Sequence, residues 1–258
     1  MFTFEIFNNF SDFHASLSRV NNGLGSASQN FEADGSWYGT KNFSEAMDLL
    51  TNGYREPLEK IKNIAMKNDY VSGASCVTRS PYYYGSSVNM GRALKGLPKC
   101  MNKRRREVKN IPVINIFVDC GVLVKVSVND KIKYGIRVLS LINTLQSKGY
   151  NTEIYVGAVT IKNSDDDVSA CLIKVKDYCE QLNLLQLCFP IVHPSFHRRL
   201  MFAWREHFPQ WNCYHYGKSA YVLNYDDVAD MVSNALGKSF VYINYKSVDK
   251  AIEKLEGM

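Results

Sequence analysis

Between Ile111 and Gly157 the apolar positions change period twice. Ile111-Pro-Val-Ile-Asn-Ile-Phe-Val-Asp119 is a nearly continuous β-branched run ending at Asp119-Cys120-Gly121, the pattern of a strand buried on both faces. Lys131 to Lys148 then puts Ile132, Ile136, Leu139, Ile142 and Leu145 on one helical stripe, and Asn151 to Gly157 is extended again. Strand, amphipathic helix and strand make one crossover unit of a parallel sheet. The carboxyl end of the first strand, at Asp119, is where open α/β sheets place their sites.

The alternation continues downstream. Ala170 to Val175 and Ser239 to Asn244 read as strands, and Leu184 to Val192 reads as a strong fourth strand. Pro194 starts a helix over 195–208 that Pro209 ends, Tyr225 opens another that Gly237 closes, and 247–255 forms the last. Upstream, Phe4, Phe7, Phe10 and Phe13 recur every three residues in a first helix or strand–helix piece. Asn42-Phe-Ser-Glu45 has capping-box spacing before a helix that Asn52-Gly53 closes, and Pro57 suits the first turn of a second. The expected fold is α/β, a doubly wound and mainly parallel sheet. The expected organisation is a mainly helical N-terminal region over 1–100, a basic linker over 101–110, and an α/β domain over 111–258.

The chain has 258 residues, enough for a full core, with 46% hydrophobic and 22% charged residues, which excludes a disordered class. No apolar run nears the roughly 20 residues that span a bilayer, so no membrane is expected. Seven scattered cysteines with no C-x-x-C pair fit reduced thiols in a cytoplasmic protein. Of the net charge of +6, residues 101–110 carry +4, so the basicity reads mainly as that of the linker.

Candidate chemistry is sparse. Asp119 is either a lone carboxylate ligand at the sheet edge or a residue capping its own turn. His193 and His197 are four apart, but Pro194 takes His193 out of the helix, leaving exposed imidazoles as the default; Cys213 and His215 would complete a zinc set without diagnostic spacing. Arg198 and Arg199 suit a phosphate or carboxylate partner, or a solvated helix face. Lys103, Arg104, Arg105, Arg106 and Lys109 suit nucleic acid or an acidic protein surface, with Tyr82, Tyr83 and Tyr84 too distant in sequence to be assumed adjacent. Asp165-Asp166-Asp167 lacks EF-hand spacing and reads as a solvated loop. Neither phosphate-loop motif nor a nucleophile elbow occurs. No cofactor is expected.

Two stretches carry a resemblance. Gly35-Ser-Trp37-Tyr-Gly39-Thr-Lys-Asn-Phe43-Ser-Glu45-Ala46-Met-Asp-Leu49-Leu-Thr-Asn-Gly53-Tyr54 and Leu94-Lys-Gly96-Leu-Pro98-Lys-Cys-Met101, with Gly149-Tyr150 and His193 to Leu200 further on, resemble an uncharacterised family of tailed-bacteriophage proteins. That implies a phage protein acting in the host cytoplasm. The C-terminal half also resembles a von Willebrand factor type A domain, whose Asp-x-Ser-x-Ser motif holds a divalent ion. The matching positions here are Asp119, Gly121 and Leu123, without either hydroxyl, so the resemblance implies the fold and a degenerate metal site. The expected function is non-enzymatic binding of a protein partner, host factor, defence component or phage machinery, with nucleic acid possible through the basic stretch. The rival expectation is a metal-dependent nuclease or phosphatase using Asp119, neighbouring acidic residues and His193.

Overall fold

The computed structural model describes residues 2–18, 35–58, 76–107, 113–122, 125–162, 167–208 and 225–256. In chain order the elements are β1 (Phe2–Phe7), α1 (Phe10–Ser18), α2 (Gly35–Tyr38), α3 (Phe43–Asn52), β2 (Cys76–Tyr82), β3 (Ser87–Val88), α4 (Met90–Ala93), β4 (Met101–Glu107), β5 (Val113–Asp119) and α5 (Val128–Ser147). There follow β6 (Asn151–Lys162), β7 (Asp167–Lys176), α6 (Leu184–Val192), a π-helical segment (Phe196–Met201), α7 (Phe202–Glu206), α8 (Tyr225–Leu236), β8 (Val241–Ile243) and α9 (Val248–Glu256).

The five-stranded sheet runs β1-β7-β6-β5-β8. β5 pairs parallel with β6 and β8, β1 pairs parallel with β7, and only the β6–β7 pair is antiparallel. It is thus a mixed, mostly parallel α/β sheet. Successive side chains on β5 alternate between two cores. Ile116 and Val118 join the larger one with α1, α3, α5, α6 and α9, while Phe117 joins Tyr155, Tyr242 and the α8 residues Val228 and Val232 on the other face. Burial on both faces is why the strand reads as an unbroken apolar run.

The N-terminal residues are not a helical extension. β1 is an edge strand of this sheet, paired from Phe2↔Val168 to Phe7↔Ile173, and α1 buries Phe13 and Leu17 in the main core. The three-residue phenylalanine spacing spans two elements: Phe4 packs on one face of the sheet and Phe7 on the other, so the repeat is not one helical stripe.

Helix ends follow the residues expected to cap them. The Asn42 side chain accepts from Glu45 N at 2.8 Å, Glu45 reaches back to Lys41 N, and Gly53 closes α3 at φ 78. Ser127 accepts from Asp130 N to open α5. Leu184 to Val192, expected as a strand, is a helix. Asn183 caps it by accepting from Gln186 N, and residues 187–192 are all buried. A helix enclosed on every side has no polar stripe, so its run of apolar residues looks like a buried strand's. It crosses α5 at backbone contact: a Cβ on Gly135 would lie 2.6 Å from Val192 Cα.

The expected basic linker is also a strand. β4 pairs antiparallel with β2 from Met101↔Tyr82 to Glu107↔Cys76 and, on its other edge, with β3. The helix expected after Pro57, Asp165, Asp166, Lys109, Leu123, Cys213 and His215 lie outside the described residues. Among the described residues no helix is long and apolar enough to cross a membrane.

Candidate functional site

Where β5 ends, the chain turns back on the Asp119 side chain. Asp119 Oδ1 accepts from Gly121 N–H at 2.7 Å, and Cys120 N–H continues the sheet pairing to Gly157 O. The neighbouring strand β8 brings Tyr242, stacked on Phe117, so that its hydroxyl donates to Asp119 Oδ2 at 2.6 Å. Helix α5 supplies two groups one turn apart. Lys131 is fully buried; its ammonium donates to Cys120 O at 3.1 Å and lies 4.9 Å from the Tyr134 ring centre. Tyr134 donates to Asp119 O at 3.4 Å. From the π-helical segment comes His197. A Cβ at Gly121 would meet Asp119 Oδ1 at 2.8 Å and His197 Nε2 at 3.6 Å, so glycine lets the turn pass between them.

The electrostatics follow from enclosure. Burial pushes the Asp119 carboxyl up to about 6, opposed by the Tyr242 hydroxyl, the Gly121 amide and the Lys131 ammonium. Burial likewise lowers Lys131, and drives His197 well below an ordinary imidazole with help from the Arg205, Lys131 and Arg198 charges. This donor set does not fit a divalent ion of the type A kind. Both Asp119 oxygens already accept hydrogen bonds and a buried ammonium stands where extra positive charge would be repelled. Among the described residues no group of three His, Cys, Asp or Glu could hold a metal.

The two histidines are not exposed and do not share surroundings. His193 is buried, its Nδ1 2.7 Å from Ser195 Oγ, its ring against Tyr54 and Phe189; burial lowers it to about 4. His197 packs edge-on to Phe202. Pro194 sets this division, since His193 closes α6 with its N–H on Phe189 O while His197 belongs to the following turn.

Arg198 and Arg199 are not a solvated face or a docking surface; they are 1% and 0% exposed. Arg198 donates to Trp37 O at 2.6 Å and Val126 O at 2.9 Å, with its guanidinium 4.6 Å from the Trp37 ring centre. Arg199 donates to Thr40 Oγ1, Thr40 O and Lys41 O over the Tyr38 ring. The pair ties residues 37–41 to the core, using the planar fork of donors that arginine alone provides.

Lys103 lies in β4 rather than in a linker, and the strand brings together what the sequence keeps 19 residues apart. Its ammonium donates to Tyr84 Oη at 3.0 Å and lies 4.6 Å from the ring centres of both Tyr82 and Tyr84. Arg104, Arg105 and Arg106 follow in the same strand, paired with Arg79, Thr78 and Val77.

Sequence reasoning missed Lys131, Tyr134 and Tyr242. Tyr242 carried the one available signal, a polar tip inside an apolar strand. Neither a curated protein nor a solved structure matches the chain. A family model described as a domain of unknown function (DUF7192) matches residues 3–253, and the chain belongs to that family.

Proposed function

We propose that this chain is a phage-encoded, non-enzymatic macromolecule-binding protein of the host cytoplasm, built on a type A-like α/β body whose ion cradle has become a structural knot. The strand order supports the type A plan: β5 lies between β6 and β8, the reversed β7 follows β6, and β1 adds one further strand beyond β7. The phage assignment rests on the sequence resemblance.

The observation that carries the reading is the Lys131 ammonium, buried and bonded to Cys120 O beside a carboxylate whose two oxygens accept from Gly121 and Tyr242. Charge at the sheet edge is balanced from within the chain, and the Asp119, Lys131, Tyr134 and Tyr242 side chains each bond to the backbone or to one another. Such a cluster holds the β5–α5 turn to β8 rather than presenting a nucleophile or a general base. The test incubates the pure protein with labelled DNA, RNA and nucleotides plus Mg²⁺ or Mn²⁺. No turnover is expected. Turnover that disappears in Asp119→Ala would replace this reading with a metal-dependent hydrolase.

A further inference from the structure

Residues 76–107 contain eight basic side chains and one acidic, Glu107 at the end of β4, leaving a net −1 for the rest of the chain. The folded unit that holds them is the β2-β4-β3 sheet with α4 and its following turn. Four of the cations, Arg79, Arg92, Lys95 and Lys99, precede the stretch in which the sequence charge looks concentrated; the fold gathers all eight into one unit.

Aromatic surface accompanies this charge. Tyr83 and Tyr84 are 63% and 62% exposed, and Tyr82 is the hub between them, its ring 5.9 Å and 5.0 Å from theirs in edge-on contacts. Lys103 lies over Tyr82 and Tyr84, and Lys99 lies 5.4 Å from the Tyr83 ring centre. Gly85 makes the turn possible, because a Cβ there would strike Asn102 O at 2.2 Å; Ser86 N–H bonds that same carbonyl. The three rings are therefore fixed next to β4 by backbone pairing, not by chance proximity.

We propose that this three-stranded sheet binds single-stranded nucleic acid, with unpaired bases stacking on Tyr83 and Tyr84 and phosphates on Lys99 and Lys103. Exposed tyrosine faces accept any base, and a unit with eight cations and a single acid matches a phosphate backbone better than it matches a mixed-charge protein surface. Duplex hides its base faces, so it offers the phosphates without the stacking. This deepens the macromolecule-binding reading and rests on it.

The test is fluorescence anisotropy of the full chain with labelled single-stranded DNA, single-stranded RNA and a duplex of equal length, with polyglutamate as competitor. Single strands should bind more tightly than duplex, and whichever of DNA or RNA is tighter identifies the natural strand. Tyr83→Ala and Tyr84→Ala should each weaken single-strand binding about tenfold at fixed salt, while Tyr83→Phe and Tyr84→Phe retain it. Lys99→Gln and Lys103→Gln should instead each flatten the slope of log K against log salt by roughly 0.7. The exposure of both rings leaves the fold intact on truncation, which an unchanged circular dichroism melt verifies.

The proposal is overturned by absent single-strand binding, by duplex binding as tight with neutral tyrosine variants, or by equal competition from polyglutamate, which would mark an acidic protein partner. Absent single-strand binding without turnover would leave the macromolecule-binding reading standing. Asp119-dependent turnover would remove that reading and leave this surface untouched.

Discussion

Replacing Arg199 with Met separates a structural clamp from a docking residue. Methionine keeps most of the volume and removes the charge and all donors. The change strands the carbonyls of Thr40 and Lys41 and the Thr40 hydroxyl, each now within 2.8 to 3.1 Å of the guanidinium. Each buried acceptor left without its donor costs about 1–3 kcal/mol, and removing one partner of a buried charged network costs about 3–5 kcal/mol in all. We therefore expect Arg199→Met to lose about 3–5 kcal/mol, a large share of the roughly 5–15 kcal/mol that holds a domain together. Arg199→Lys should lose less, since a point ammonium recovers part of the bonding but not the fork over Tyr38. Arg137, paired with Asp249 on the surface, is the control; Arg137→Ala should lose under about 1 kcal/mol. The assay is equilibrium urea unfolding followed by circular dichroism, with cleavage near residues 37–41 scored by limited proteolysis. A loss under about 1 kcal/mol for Arg199→Met, equal to that of the control, would refute the clamp.

Two further outcomes depend on pH. Lys131→Met leaves the Asp119 carboxylate buried without its counter-charge, so it should destabilise by about 3–5 kcal/mol at pH 7. At pH 5, below the value of about 6 at which Asp119 takes up a proton, the loss should be clearly smaller, and an equal loss at both pH values would contradict the pairing. His193 is held down to about 4 by burial against an ordinary 6.5, so the unfolded chain binds its proton first as pH falls. Its contribution is complete above pH 6.5 and fades towards pH 4, by roughly 3 kcal/mol in total. Asp119, raised from 3.8, acts with the opposite sign between about 4 and 6, so wild type shows the difference of the two. His193→Gln should make unfolding stability fall less steeply on acidification than in wild type; parallel curves would rule out a buried neutral imidazole.

The strand–helix–strand core was legible because each element has its own period and its own cap. Val113–Asp119 is apolar on both faces, and Asn42, Gly53 and Gly237 mark helix ends by their own chemistry. The inner stripe of α5 was legible only in part. Lys131 and Tyr134 are buried while Ile132 and Ile136 are only half-buried, because the cluster at Asp119 draws polar residues inward and rotates the helix from its simplest apolar phase. Leu184–Val192 misled because enclosure erases periodicity. Arg198, Arg199 and Lys103 could not be read from sequence: their partners Trp37, Thr40 and Tyr84 are brought to them by tertiary pairing across 161, 159 and 19 residues. A charged pair on a helix looks the same whether water or a carbonyl cage receives it.

Titrating Mn²⁺ calorimetrically into wild type and Asp119→Asn addresses the internal charge balance at the sheet edge most directly. Lys131 and the two hydrogen bonds on Asp119 lead us to expect no heat that depends on Asp119. Stoichiometric Mn²⁺ binding in wild type that vanishes in Asp119→Asn would show that the cradle still takes an ion.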